Sequence, residues 1–399
     1  MKTRIIVEDM KAAAEIIQNG GLVAVPTETV YGLAGNGLNE KAVEQIYEVK
    51  GRPAVKPLSL MVPGIEAMDS YCLDVPEQAR TLAEKFWPGP LTIVLKAKSE
   101  IPSIVLAGGS TVGLRCPDHP LTLALLRECS LPLAAPSANP SGEASPKNAE
   151  KVMEYFDGKI DAVIDGGACG IGLESTIIDM SSTPYRILRK AALDESEIAE
   201  ALCSKLMIVG LSGGTGCGKT TALLELIAHG AYILDCDEIY HDLLESSKEL
   251  IEELDRSYPG TVRDGVLDRK ALGALVFNNE QALQKLNEIT HKHVYAEVQR
   301  RLREFAMSGG KLAAIDAIEL FSSGLDKLCY TTVAVVADKD KRIERIMKRD
   351  NISREYAQMR VNAQQPASYF EEHCEHILYN NADREQYRTA CHQLFKEIL

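Results

Sequence analysis

The densest chemistry in the sequence is Gly213-Gly214-Thr215-Gly216-Cys217-Gly218-Lys219-Thr220, followed by Thr221. Glycines at this spacing let backbone N–H groups converge on one point, and a following helix adds positive charge from its first turn. Such a loop cradles phosphate oxygens. Lys219 would then reach the β- and γ-phosphates of a nucleoside triphosphate, and the Thr220 hydroxyl would hold Mg²⁺. The flanks agree, with an apolar strand expected at 206–211 and a helical run at 221–229. One strand later, Asp235 and Asp237 stand where open α/β sheets bind ligands. At i and i+2 of extended chain they point the same way. One carboxylate could then activate an acceptor hydroxyl while the other assists the metal. An N-cap role accounts equally well for one of the two. Downstream, Arg342, Arg345, Arg349, Arg354 and Arg360 fall in a helix–turn–helix able to close over the triphosphate. Taken singly, most of these arginines read as solvated surface with i,i+4 ion pairs.

Residues 1–205 have no such loop, and their candidate chemistry is dispersed among short strands. Thr27, Glu28 and Thr29 end an apolar run. Lys50, Arg52 and Lys56 gather three cations beside Pro53 and Pro57, a cluster suited to a triphosphate or a carboxylate. Arg115 follows another strand, while Ser137-Ala138-Asn139 and Ser175-Thr176 offer small polar groups that allow close approach to phosphate or ribose. Each element alone is weak. A Lys-x-Arg is usually surface, and Ser-Ala-Asn is ordinary turn composition.

The elements that must position these residues differ between the halves. Early on, short β-rich runs alternate with Gly and Pro clusters (GLVAVPTETVYGLAGNG, FWPGPLTIVLKA, LPLAAPSANPSG), with helices over 40–49 and 76–85. That predicts a mixed α+β sheet with functional loops. Around 193–205 an acidic helix, LDESEIAEALCSKL, reads as a linker. Strand–helix alternation then begins, with long helices over 281–305 and 340–350, the pattern of a doubly wound sheet. A length of 399 residues fits two domains, placed at 1–192 and 206–399. Charge does not separate them: residues 1–205 carry 20 Lys and Arg against 27 Asp and Glu, and residues 206–399 carry 24 against 30.

The net charge of -13 argues against general nucleic-acid or anionic-lipid binding, though it leaves room for local basic pockets. No apolar run is long enough to span a membrane, and the start has no cleavable apolar core. The ten cysteines are scattered singly, without a C-x-x-C pair, as expected of reduced thiols in a cytoplasmic protein. His291/His293 and His373/His376 lack nearby cysteines or a second pair at zinc spacing, so no zinc is expected.

Two resemblances gather these fragments. GLSGGTGCGKTT, LDCDEIYHDLL, GVLDRKALGALVF, LNEITHKHV, LFSSGLDKL and KRDNISREYAQMRVNAQQ resemble dephospho-CoA kinase across residues 206–399. The resemblance implies a P-loop domain with a parallel sheet and helical lid. It implies MgATP-dependent phosphorylation of the ribose 3′-hydroxyl of dephospho-CoA, with Asp237 as base and Arg349 and Arg360 near ATP. Ile318 and Ser322 stand where that family usually has Pro and Glu, and Lys292 where Pro is usual.

PTETVYGL, KGRPAVKPL, FWPGPLT, VGLRCPDHP, APSANPSG and GLESTIID resemble the YrdC-type threonylcarbamoyl-AMP synthase domain over residues 5–192. That implies a twisted mixed sheet with helices, and formation of threonylcarbamoyl-adenylate and pyrophosphate from L-threonine, bicarbonate and ATP for tRNA modification. By this resemblance Thr27, Lys50, Arg52 and Lys56 face threonine and the phosphates. Arg115, Ser137, Asn139, Ser175 and Arg189 line the nucleotide side. Transient contact with tRNA-modification proteins is the partner it implies. Met61 replaces a histidine found in some relatives, and Lys190-Ala191 replaces the usual Pro-Gly. Two rival readings remain: an RNA-binding module without adenylation for the first half, and a sensor of CoA precursors for the second.

Overall fold

The structure, a computed structural model, describes residues 2–276 and 279–399. The chain divides into two units: one runs to Lys205 and takes in Met307–Gly309, and the other comprises Leu206–Ala306 and Gly310–Leu399. No helix among the described residues is long and apolar enough to cross a membrane.

The first unit is built on strands β1 Arg4–Ile6, β2 Val23–Val25, β3 Gly32–Asn36, β4 Ser59–Met61, β5 Cys72–Leu73, β6 Leu91–Ala97, β7 Thr111–Arg115, β8 Leu133–Ala134, β9 Ala162–Ile164, β10 Thr176–Asp179 and β11 Arg186–Arg189. Among the described residues they form one mixed sheet in the order β1-β9-β2-β3-β8-β4-β7-β6-β10-β11, with β5 on β6. The Gly and Pro clusters keep the strands short, and neighbouring strand ends therefore bring distant loops together. One face packs Val23, Val25, Ala34, Leu133 and Ile164 against Ala13, Ala14 and Ile17 of helix Met10–Gln18 and Leu125 and Leu126 of helix Pro120–Cys129.

Helix Glu40–Lys50 is capped by Asn39 and ends where Gly51 turns left-handed at φ 58°. Its inward stripe of Ala42, Val43, Ile46 and Tyr47 continues to Lys50, four residues after Ile46, and so carries that lysine inside. Residues 193–205 form the expected helix, Glu195–Cys203, but as a packed element and not a linker. Asp194 and Glu197 close a capping box at its start, and Ile198, Ala199, Ala201 and Leu202 are buried. This apolar face packs on helix Glu77–Phe86, which makes the segment part of the first unit.

The second unit has strands β12 Met207–Ser212, β13 Tyr232–Asp235, β14 Val262–Arg263, β15 Val266–Leu267, β16 Leu312–Asp316, β17 Thr331–Val336 and β18 His376–Tyr379. The order β13-β16-β12-β17-β18 is parallel throughout, and β14 and β15 form a separate hairpin. β17 is buried along its whole length, as a central parallel strand covered on both faces must be. Val209, Leu211, Ala314, Val333 and Val335 pack against Ala222 and Leu226 of helix Lys219–Ala228 and Tyr387, Cys391 and Phe395 of helix Arg384–Ile398. Helices Lys339–Asp350 and Arg354–Asn362 hold together through Ile343, Ile346, Ala357 and Val361.

Candidate active sites

In the second unit the chain leaves β12 at the point where strand order reverses, where ligands bind in such sheets. The loop that follows admits only glycine at its tightest places. Gly213 has φ 141°, and a Cβ there would lie 2.3 Å from the Val335 carbonyl oxygen. Gly218 has φ 102°, and its Cβ would meet the Asn380 amide nitrogen at 2.1 Å.

The loop's carbonyls are held from outside. Arg342 Nε donates to the Thr215 carbonyl at 3.0 Å, and Arg345 donates to the carbonyls of Gly216 and Cys217 at 3.3 Å each. Gln364 accepts from the Thr215 N–H at 2.8 Å and donates to its hydroxyl at 2.8 Å. With these carbonyls occupied from behind, the loop is fixed as a cradle.

A cavity of about 370 Å³ opens over it, lined by Gly214, Gly216, Cys217, Gly218, Lys219, Thr220, Asp237, Asp316, Ile318, Arg345, Arg349 and Arg360 among others. Lys219 Nζ ion-pairs with Asp316 at 2.7 Å, and burial raises the Asp316 carboxyl above its ordinary range. Asp350 accepts from Arg349 Nε at 2.7 Å and from Arg360 at 2.5 Å, and the Arg349 guanidinium holds its carboxyl down at about 2. Thr220, Asp237 and Asp316 bring hard oxygen donors to one wall, a set that suits Mg²⁺.

The expectation for Asp235 and Asp237 needs correcting. The strand stops at Asp235, whose carboxylate accepts from the N–H groups of Asp237 and Glu238 and caps helix Cys236–Ser246. Asp237 alone lines the cavity, from the helix's first turn. Gly213 and Thr221 shape the loop without lining the cavity. The five arginines also divide: Arg342 holds the loop, Arg345 both holds it and lines the cavity, Arg349 and Arg360 line the cavity, and Arg354 pairs with Asp340 at 2.7 Å on the surface.

In the first unit a cavity of about 220 Å³ is lined by Arg52, Arg115, Arg189, Ser59, Thr92, Ser137, Ser175, Glu174, Tyr31 and Met61 among others. Three guanidiniums from three distant segments thus meet among hydroxyls. Arg115 is buried; its Nη2 donates to Glu28 at 2.7 Å and to Thr29 Oγ at 2.8 Å, and its Nε donates to the Gly89 carbonyl at 3.3 Å. Arg189 Nε donates to the Ser175 carbonyl at 2.9 Å, and its guanidinium ion-pairs with Glu174. Ser175 shares a 2.8 Å hydrogen bond with Thr92. Arg52 Nη2 donates to the Pro57 carbonyl at 3.1 Å and its Nε to the Lys56 carbonyl at 3.4 Å, while its guanidinium lines the cavity.

Four residues expected here do not line this cavity. Lys50 donates to the carbonyls of Ser137 and Asn139 and so pins the Ser-Ala-Asn loop, while burial pushes its ammonium down to about 8. Asn139 is buried, its amide donating to the carbonyls of Pro140 and Glu143. Thr27 is folded into its own turn, bonded to the Val30 carbonyl at 2.6 Å and to Thr29 Oγ at 2.8 Å. Lys56 is exposed on the loop. Glu174, Thr92, Ser59 and Tyr31 line the cavity without having been singled out, because nothing in their local sequence separates them from ordinary strand ends.

Comparisons with known proteins accord with this division. Residues 15–191 match the model of the Sua5, YciO and YrdC proteins, described as "Telomere recombination", and residues 207–386 match that of "Dephospho-CoA kinase". Threonylcarbamoyl-AMP synthase of Pyrococcus abyssi is 46% identical over 193 residues, covering 48% of this chain and 57% of the relative. A putative threonylcarbamoyl-AMP synthase of Methanocaldococcus jannaschii is 37% identical over 197 residues, covering 48% of this chain and 92% of the relative. The crystal structure of P. abyssi Sua5 complexed with L-threonine aligns with 84% of this chain and all of that one, at 28% identity and a TM-score of 0.49. The chain spans little more than half the length of the first curated relatives it matches. It belongs to the Sua5–YciO–YrdC family through its first half, and its second half carries a dephospho-CoA kinase domain.

Proposed function

We propose that the chain is a bifunctional ATP-dependent transferase. At the first cavity, L-threonine, bicarbonate and ATP would yield threonylcarbamoyl-adenylate and pyrophosphate. The amine nitrogen bonds to the carbon of bicarbonate-derived CO₂ and loses a proton. A carbamate oxygen then attacks the α-phosphorus, and pyrophosphate leaves. The chemistry asks little of acid–base groups and much of fixed positive charge on the departing phosphates. The observation that carries this reading is the convergence of Arg52, Arg115 and Arg189 on one cavity within a chain of this family. Lys50 enters as the residue that holds Ser137 and Asn139 in place. The adenylate would serve tRNA modification.

At the second cavity, ATP would phosphorylate the 3′-hydroxyl of dephospho-CoA. Lys219 and the loop amides hold the phosphates, Asp237 takes the proton of the acceptor hydroxyl, and Arg349 and Arg360 face the transferring group. Thr220, with Asp237 and Asp316 beside it, would hold Mg²⁺, which supplies charge neutralisation on the phosphates. The carrying observation is that phosphate loop, Asp237 and both lid arginines surround a single cavity.

One side-by-side assay of the full chain tests both halves. Pyrophosphate should appear only with threonine and bicarbonate, and ADP only with dephospho-CoA. No threonine-dependent pyrophosphate would sink the first reading. Dephospho-CoA that raises thermal stability without forming ADP would replace the kinase with a sensor.

A further inference from the structure

Outside both cavities, Glu225, His229 and His392 bring one carboxylate oxygen and two imidazole nitrogens within 4.8 Å of one another. Glu225 and His229 are one helical turn apart at the end of helix Lys219–Ala228, and His392 comes from helix Arg384–Ile398. Glu225 is only 12% exposed, and both of its ionic contacts are imidazoles: His392 Nδ1 at 2.6 Å and His229 Nε2 at 3.7 Å. Among the described residues no lysine or arginine is ion-paired with this largely buried carboxylate. The two rings lie 27° from parallel with centroids 6.2 Å apart, and one nitrogen of each approaches the same Glu225 oxygen, Oε1.

We propose that these three side chains form a binding site for a divalent transition metal of the zinc, cobalt or nickel type, distinct from the Mg²⁺ chemistry of the phosphate loop. Two imidazoles and a carboxylate are a donor set that such ions favour and Mg²⁺ does not. Tetrahedral zinc at ordinary bond lengths sets its ligand atoms about 3.3 Å apart, between the two contacts seen here. Small side-chain rotations would reach that spacing, and His229 and His392 are exposed enough to make them. The fourth position would be left to water or to an incoming ligand. A metal here staples the last helix to the helix that begins at Lys219. At their other ends these helices already meet, Tyr387 donating to the Gly218 carbonyl at 3.4 Å. Occupancy would therefore stiffen the support of the phosphate loop.

The test is a titration of the full chain with Co²⁺, followed by visible absorption, in buffer containing excess Mg²⁺ and with Zn²⁺ as competitor. The expected result is one saturable equivalent with four-coordinate ligand-field absorption, displaced by Zn²⁺. Affinity should fall at least about tenfold in both His392→Ala and His229→Ala. Zn²⁺ should raise the melting temperature of the wild type and of neither variant. Both histidines are exposed, so circular dichroism should report folded variants. Equal Co²⁺ binding in wild type and both variants, as binding to thiols would give, overturns the proposal. So does displacement by Mg²⁺, or the absence of a saturable equivalent.

Discussion

On the proposed reading, the two cavities would bind similar anions by opposite means. In the second unit, phosphate would be met mainly by backbone N–H groups of one contiguous loop, and side chains from elsewhere hold that loop in shape. In the first unit, positive charge arrives on three arginines from three strands or loops far apart in sequence, held by backbone carbonyls and, for Arg115 and Arg189, by the carboxylates of Glu28 and Glu174. A cradle of backbone tolerates change around it but depends on one lysine. A cradle of side chains divides the charge among several residues, each costly to lose. Four substitutions separate these expectations.

The largest effect belongs to Lys219→Ala. It removes the one cation of the loop itself, and dephospho-CoA-dependent ADP formation should fall by about 10³-fold or more. Threonine-dependent pyrophosphate release should be unchanged. A loss of both activities would break the claim that each cavity works with its own residues. Arg52→Ala should come next, lowering threonine-dependent pyrophosphate release by about 10²-fold, the scale of one lost charge-stabilising donor. Two arginines remain, so activity should persist at a measurable level. An abolished activity comparable to the lysine variant would mean the charge is not shared after all.

Lys50→Met probes the support instead of the cavity. It leaves the Ser137 and Asn139 carbonyls without their donor, which should cost about 1–3 kcal/mol of first-unit stability. The chain's single tryptophan, Trp87, is buried in that unit and reports its urea unfolding. The pH dependence has a definite sign. Burial sets the folded ammonium at about 8, against 10.5 unperturbed, so between these values the unfolded chain binds more protons. Wild-type stability should therefore rise relative to the variant as pH climbs from about 8 to 10. A difference that shrinks over that window would show that the charged ammonium is the favoured buried form.

The same contrast explains what could be read from the sequence. The phosphate loop is local, and its strand and helix were legible, at 206–211 and 221–229 against Met207–Ser212 and Lys219–Ala228. Helices with a clear apolar stripe were legible to within a few residues, such as 281–305 against Glu280–Met307. Asp235 and Asp237 part because a helix begins between them: Asp235 takes the N-cap role open to one of the two, and which one could not be read without the strand end to the residue. Lys50 looked like a ligand for phosphate because a cation beside Arg52 suggests one. Its place four residues after Ile46, on the buried face of an amphipathic helix, already pointed inward. The His229–Glu225–His392 cluster escaped any spacing rule, since Glu225 and His392 lie 167 residues apart and meet only through helix packing.

The smallest effect sharpens the comparison at the lid. Arg349 and Arg360 face the second cavity, yet both lean on Asp350, which lies between their guanidiniums. If the backbone cradle does most of the holding, these arginines add a modest share of binding, and Asp350 only keeps them near. Asp350→Asn should then raise KM for ATP by about twofold to fivefold with kcat little changed, the range of an exposed ion pair of modest worth. The carboxyl is held down at about 2, so it stays ionised throughout the working range and its tether is lost only as pH falls toward that value. In the wild type, KM for ATP should accordingly show no inflection from this pair between pH 5 and 9. A collapse of kcat in Asp350→Asn would move the lid arginines from binding into the chemistry, and the second cavity would then rely on side-chain charge much as the first does.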